Sequence, residues 1–407
     1  MYYLLQFFKR TITEPNYAFM ALVILAICQQ TIFLYPVVIV RHIGPLEALS
    51  YMIFPMAYLF LAFYAFREPV TQMVRTRDSF IILFFLIMIL LTIAFYPENT
   101  EYLIKGLIYD IWLTVPFFYI GLCFKTDEDN MDMLARFCCL GIVLDSAYRM
   151  MTQSSSDSDY NMEASYELLL SSLIVINYAF RSGKLIPVCC SLLAVFYHFS
   201  MGTRGPLVIL FVCILVHFIY FLKKHPKLRW VVIIALIVVA VMIASVVMTM
   251  LEQIQAIFDN WGLSTRVFDM ILSDEEDSLA NTTGRSSIYE DLLKRLEDRP
   301  FLGYGVYGEW KFGYASAHNM YIEALFHYGW VLGSLMIVSY VLTTIMAYLR
   351  STDLLSRQFL IILSCYVFVR GVFGGTYLSF GVFFLLGFCI QQIRKSNICK
   401  KKQLLYE

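Results

Sequence analysis

The chain has 407 residues, 59% of them hydrophobic and 15% charged, with a mean hydropathy of +0.68. Soluble domains average roughly 45–50% apolar and about 25% charged residues, so an ordinary soluble globular fold is excluded. The 31 basic and 31 acidic residues cancel, which leaves no net-charge argument for a nucleic-acid partner.

The apolar residues come in blocks, among them Phe80–Ala94, Leu207–Leu222 and Val231–Val247. Each is close to the length that crosses a hydrocarbon core of about 30 Å. The start, Met1 to Arg10, lacks a directly following apolar stretch with a small-residue cleavage site, so the first span is expected to act as an uncleaved insertion signal. In chain order the pattern predicts spans at 17–38, 46–66, 79–96, 103–124, 131–151, 166–181, 185–201, 205–222, 229–250, 321–349, 357–374 and 376–393. The fifth carries Arg136, Asp145 and Arg149, which suits a bundle-lining or re-entrant segment, and the short sixth and seventh suit tilted or broken helices.

Basic residues orient these spans. With the N-terminus inside, about 20 of the 31 basic residues fall in cytoplasmic segments, including Lys223, Lys224, Lys227 and Arg229 and the tail from Arg394 to Lys402. Short outer loops hold about five: Arg41, Lys105, Arg149, Arg204 and Arg370. The expectation is an all-α polytopic membrane protein with about 12 transmembrane helices and both termini cytoplasmic. Residues 1–250 form spans one to nine, 251–317 a large external loop, 318–394 spans ten to twelve, and 395–407 a basic tail.

The ten cysteines mostly lie inside apolar blocks and read as small packing residues, with neither zinc-ligand spacing nor an external disulfide framework. The sequence has no P-loop, HExxH, GxSxG or dinucleotide fingerprint, so ATP-driven transport by this chain alone is not expected. Asp274–Asp277 reads as a solvated acidic face, Asp157-x-Asp159 as part of a polar Ser-rich loop, and Asn281-Thr282-Thr283 as a chance sequon.

The external loop is too long to be simple connection. Ser287-x-x-Glu290 is a capping-box pattern, and Ile288, Leu292, Leu293 and Leu296 follow at helical spacing. A short amphipathic helix is predicted, ending before Pro300, with a tight turn at Gly303-Tyr304-Gly305. Arg285 stands just before that helix, where a guanidinium beside free helix N–H groups suits a phosphate or diphosphate; the plain alternative is a solvated surface arginine. Arg204, in the hinge Ser200–Gly205, is either an anion ligand at the outer face or a snorkelling helix anchor. His318 opens the tenth span and is either a general base or a structural helix-end histidine. Tyr304, Tyr307, Trp310 and Tyr314 suit an interfacial aromatic belt, and they could also stack on sugar rings.

In order along the chain stand Thr203-Arg204-Gly205, Thr283-Gly284-Arg285, Arg299-Pro300-Phe301-Leu302-Gly303-Tyr304-Gly305, Ala317-His318-Asn319-Met320-Tyr321-Ile322-Glu323, Gly329 and Gly333. This series, over roughly residues 200–335, resembles the bacterial O-antigen ligase/polymerase superfamily. Tyr289, where tryptophan is frequent, and Thr203, where serine is usual, depart mildly from that pattern. The resemblance implies a glycosyltransferase at the outer face of the cytoplasmic membrane, without cofactor or metal. The donor would be a polyprenyl-diphosphate-linked oligosaccharide, with Arg204 and Arg285 on its diphosphate and His318 as base for the acceptor hydroxyl. Tyr304, Tyr321 and Arg370 are further candidates for substrate binding.

A polymerase building O-antigen, capsule or exopolysaccharide is the leading expectation. A ligase moving finished glycan to a lipid, wall or protein acceptor is second, and a flippase is the alternative from another class. Its polar candidates Asp110, Asp145, Asn177 and Arg370 are scattered along the spans. Membrane lipid, a glycan acceptor, a chain-length regulator and a flippase are the partners this reading implies; nucleic acid is not among them.

Overall fold

The computed structural model describes residues 7, 10, 11, 14–28, 79–152, 162–201, 203–224, 247–260, 265, 285–314 and 316–403. Among them every regular element is helical, and they fall into two compact units. The second predicted span, most of the ninth and loop residues 266–284 lie outside the described residues.

The first unit comprises residues 1–29, 33–134 and 284–407. It contains α1 (Pro15–Cys28), α2 (Ser79–Phe95), α3 (Thr100–Cys123), the start of α4 (Glu128–Thr152), α9 (Arg285–Asp298), α10 (Met320–Arg350), α11 (Leu354–Ser364), α12 (Arg370–Phe373) and α13 (Phe380–Gln403). The uninterrupted apolar run of α2 ends at Tyr96-Pro97, where proline enters a short 3-10 turn, and the chain bends by 112° into α3. Helices α3 and α13 pack through a reciprocal glycine contact. A Cβ on Gly121 would come within 2.2 Å of the Phe384 carbonyl oxygen, and one on Gly387 within 2.1 Å of that of Phe118. Small residues at such a crossing bring two backbones together where lipid provides no hydrophobic drive. Phe124, Phe359, Phe384 and Phe388 fill the space beside it as a group of tilted and edge-to-face rings.

Met320–Arg350 and Leu354–Phe373 are long and apolar enough to cross a membrane, and the bent pair of α2 with the start of α3 makes a third candidate among the described residues. Phe80, Leu90, Leu335 and Leu349 are all more than 60% exposed, which suits helices with a lipid-facing side. Two of the predicted spans are less regular than their hydropathy suggests. Helix α10 is broken at Gly329 (φ 77°, ψ 172°), and the span beginning with α11 passes through a π turn at Cys365–Val369 before α12.

The second unit comprises residues 30–32 and 135–283, with the rest of α4 and α5 (Met162–Ser182), α6 (Leu185–Ser200), α7 (Arg204–Lys224) and α8 (Val247–Asn260). Its core is polar at two points. The His198 ring meets Ser165 Oγ at 2.7 Å and Ser172 Oγ at 3.1 Å, and Asn177 meets His217 at 2.5 Å.

Candidate functional site

The site in the first unit starts with α9. Its buried face carries Leu292 and Leu296, which pack with Ala317 and Phe326, and Ile288, Leu293 and Ile322 surround them. The amphipathic helix expected from sequence is thus present, but it begins one turn earlier: Arg285 is its first residue rather than its flank. Its exposed side is held by an Arg295–Asp291 pair at 2.7 Å, and Tyr314 donates to the same Asp291 carboxylate at 3.1 Å.

Arg285 donates from Nη1 to the Phe373 carbonyl at 2.5 Å. One turn on, the Tyr289 hydroxyl donates to the His318 carbonyl at 3.2 Å. His318 holds a left-handed backbone (φ 52°), uncommon for a residue with a side chain, and its N–H donates to Ser316 Oγ at 3.0 Å. Asn319 then caps α10, its side-chain oxygen accepting from the N–H groups of Tyr321 at 3.0 Å and Ile322 at 3.2 Å. Burial, and secondly the charge of Arg285, hold the His318 imidazole below the ordinary value of 6.5. A guanidinium and an imidazole kept neutral near pH 7 therefore stand within electrostatic reach of one another.

The segment Arg299–Gly305 explains why α10 can break. At the Gly329 break Trp330 N–H turns to the Pro300 carbonyl at 2.7 Å. In an unbroken helix that N–H would bond to the Phe326 carbonyl. Phe326 instead accepts from Tyr304 N–H at 2.8 Å, and His327 from Gly305 N–H at 2.9 Å. The loop thus replaces the helical bonds that the break removes. The approach is close enough to demand glycine on both sides. A Cβ on Gly303 would lie 2.4 Å from the Phe326 oxygen, and one on Gly329 2.5 Å from Phe301 C and O.

The turn after α2 grips the same loop. Tyr96 O–H donates to the Gly303 carbonyl at 2.9 Å, and Asn99 Nδ2 to the Tyr304 carbonyl at 2.8 Å. Val306 N–H donates to Thr92 Oγ1 at 3.2 Å. About 200 residues of sequence separate these partners, and no local pattern announces the contact.

Of the sequence candidates in this unit, Arg285 and His318 come together, and Tyr289 bonds to the His318 carbonyl. Asn319 Nδ2 also lies 3.5 Å from the Val372 carbonyl, which brings the end of α12 into the same neighbourhood. Arg370 opens α12, and its guanidinium bonds to the Tyr366 hydroxyl and lies 5.1 Å from that ring's centroid. Tyr321 donates its hydroxyl to the Phe368 carbonyl at 3.0 Å. It also lines an apolar groove of about 330 Å³ with Phe80, Phe84, Met320, Tyr340 and Phe368. Tyr304 is engaged by packing: its ring stacks on Phe326 at 4.7 Å, Arg299 lies 5.0 Å from its centroid, and its hydroxyl donates to the Arg295 carbonyl.

Arg204 belongs to the second unit, where it is the first residue of α7. The hinge before it is anchored by the buried Thr203, whose hydroxyl donates to Ser165 Oγ at 2.7 Å, itself bonded to His198.

Sequence reasoning gave no role to a buried polar group formed by Glu309, Glu323 and His327. His327 Nε2 meets Glu309 Oε2 at 2.5 Å, and its Nδ1 meets the Tyr377 hydroxyl at 2.8 Å. The helical i, i+4 spacing of Glu323 and His327 was the available signal.

Residues 189–337 match the family model described as O-antigen ligase, a stretch that contains Arg204, Arg285, Tyr304, His318, Tyr321, Gly329 and Gly333. No curated protein and no solved structure gives a significant match. The family match supports the O-antigen ligase/polymerase superfamily for this chain, and with it a membrane enzyme of the glycosyltransferase type that handles a lipid-linked glycan donor and an acceptor.

Proposed function

We propose that this chain, which matches the O-antigen ligase family model over residues 189–337, is a polymerase. It joins polyprenyl-diphosphate-linked oligosaccharide units at the outer face of the cytoplasmic membrane, within a bundle of about twelve spans. The observation that carries the reading is the pairing of Arg285 with an imidazole, His318, held neutral by burial and by that arginine. In the transfer step the acceptor oxygen bonds to the anomeric carbon and gives its proton to His318. The bond from that carbon to the diphosphate oxygen breaks, and the electron pair leaves with the diphosphate. Negative charge grows on the leaving group, and Arg285 stabilises it by charge-assisted hydrogen bonding. A guanidinium there does work that a divalent cation does elsewhere, so the step is written without metal. Direct displacement inverts the anomeric centre.

The apolar groove beside Tyr321 is of a kind that suits the prenyl chain of the donor. Tyr304 and Arg370 contribute at the edges of the glycan and diphosphate sites.

The test uses full-length protein in detergent with lipid-diphosphate-linked repeat units and a chelator, beside Arg285→Ala and His318→Ala. Elongation by wild type, with both variants monodisperse but inactive, supports the reading. A folded protein that neither binds nor elongates the correct donor overturns it. The description of the matched family favours a second reading, a ligase. Transfer of intact glycan to a different acceptor, without a ladder of chain lengths on the donor lipid, would select it. A retained anomeric configuration in the product linkage, read by NMR, excludes direct displacement.

A further inference from the structure

The group formed by Glu309, Glu323 and His327 takes no part in the transfer step described above. Each of the three is at most 3% exposed, and their ligand-bearing atoms all lie within 4.8 Å of one another. Glu323 and His327 are one turn apart on the same face of α10, and Glu309 reaches them from the 3-10 turn Gly308–Phe312. Two carboxylates and an imidazole converging from two elements make a mixed nitrogen–oxygen donor set.

The surroundings are those of a coordination site. Metal-bound histidines and carboxylates are ordinarily held by outer hydrogen bonds that fix their orientation. Here His327 Nδ1 meets the Tyr377 hydroxyl at 2.8 Å, that hydroxyl meets Tyr328 at 2.9 Å, and Thr376 donates to Glu323 Oε1 at 2.8 Å.

We propose that Glu309, Glu323 and His327 bind one divalent transition-metal cation of the zinc class, which pins the 3-10 turn 308–312 to α10 just before its break. His327 is the eighth residue of α10, whereas His318 precedes the helix, and no step of the transfer uses the cation, so its role is structural. Ligands at about 2.0–2.1 Å from one ion are about 3 Å apart, so the ion takes the place of the 2.5 Å His327–Glu309 hydrogen bond and widens that contact.

The test uses the full-length chain carrying a tag without histidines. The protein is incubated with zinc, desalted, and its metal measured by mass spectrometry, beside His327→Gln and Glu323→Gln. X-ray absorption then identifies the ligand atoms, because ten cysteines could also hold zinc. About one zinc per chain in a shell of nitrogen and oxygen only, falling at least fivefold in the variants, is the expected result. A variant that fails to fold leaves the wild-type stoichiometry and ligand shell to decide. Wild type with no stoichiometric zinc, zinc equal in folded variants, or sulfur in the shell overturns the proposal and leaves a hydrogen-bonded His–Glu pair. None of these readouts depends on transfer, so their failure leaves the polymerase reading untouched.

Discussion

Replacing Gly329 by alanine tests the lock between the Arg299–Gly305 loop and the broken helix. Two effects add. The backbone at φ 77° and ψ 172° lies in a region essentially reserved for glycine, and holding another residue there costs about 1–3 kcal/mol. The new Cβ would also sit 2.5 Å from Phe301 C and O and 2.7 Å from the Pro300 oxygen. Backbone cannot yield there without loosening the bonds Trp330 N–H to Pro300 and Tyr304 N–H to Phe326. Each is worth about 0.5–1.5 kcal/mol net, so the total loss is about 2–6 kcal/mol. Gly313 provides the control. It has φ 83° but no atom within 4 Å of a Cβ, so alanine there meets only the left-handed backbone penalty of about 1–2 kcal/mol. Thermal unfolding of both variants in detergent, followed by tryptophan fluorescence, should rank Gly329→Ala clearly below Gly313→Ala. Gly303→Ala should behave like Gly329→Ala, and the double variant should lose less than the sum, since both insert into one contact. A Gly329→Ala protein as stable as Gly313→Ala would refute the lock.

The remaining predictions concern the neighbourhood of His318. Because burial and Arg285 both lower its pKa, the acid limb of transfer activity should fall below pH 6.5. Arg285→Gln should move that limb upward but not to 6.5, since burial, the larger cause, remains; NMR titration of labelled histidine reads the shift even if turnover is lost. The stability sign follows: above pH 6.5 the group contributes nothing, and below it the unfolded chain takes the proton first, so stability falls as the pH drops. Tyr289→Phe removes the hydroxyl that donates to the His318 carbonyl and should cost about 0.5–1.5 kcal/mol of thermal stability. Asn319→Ala should cost about 1 kcal/mol through loss of the α10 cap, with Asn319→Ser retaining most of it.

Much was legible before any coordinates. Apolar blocks of bilayer length require a helical membrane protein, because only satisfied backbone survives in lipid. The capping box and the 3.6-residue spacing of Ile288, Leu292 and Leu296 placed α9 to within a turn, because those signals are local. Pro300 and the glycine pair marked its end for the same reason. The order of Arg285 and His318 in the sequence pointed to a site, but only the fold sets the arginine's charge close enough to act on the imidazole.

What the sequence could not supply are pairings between distant segments. Gly329 reads in sequence as one residue of a long apolar helix; only the docking of Pro300–Gly305 makes a break there favourable, by taking up the bonds the helix gives away. Tyr96 and Asn99 carry no local sign that they hold a loop about 200 residues later. Glu309 lies among aromatics that read as an interfacial belt, yet the 3-10 turn carries it inward to His327. Hydropathy and helical spacing record the preferences of single segments for lipid, core or water, while these contacts depend on which segments meet, and tertiary packing alone decides that.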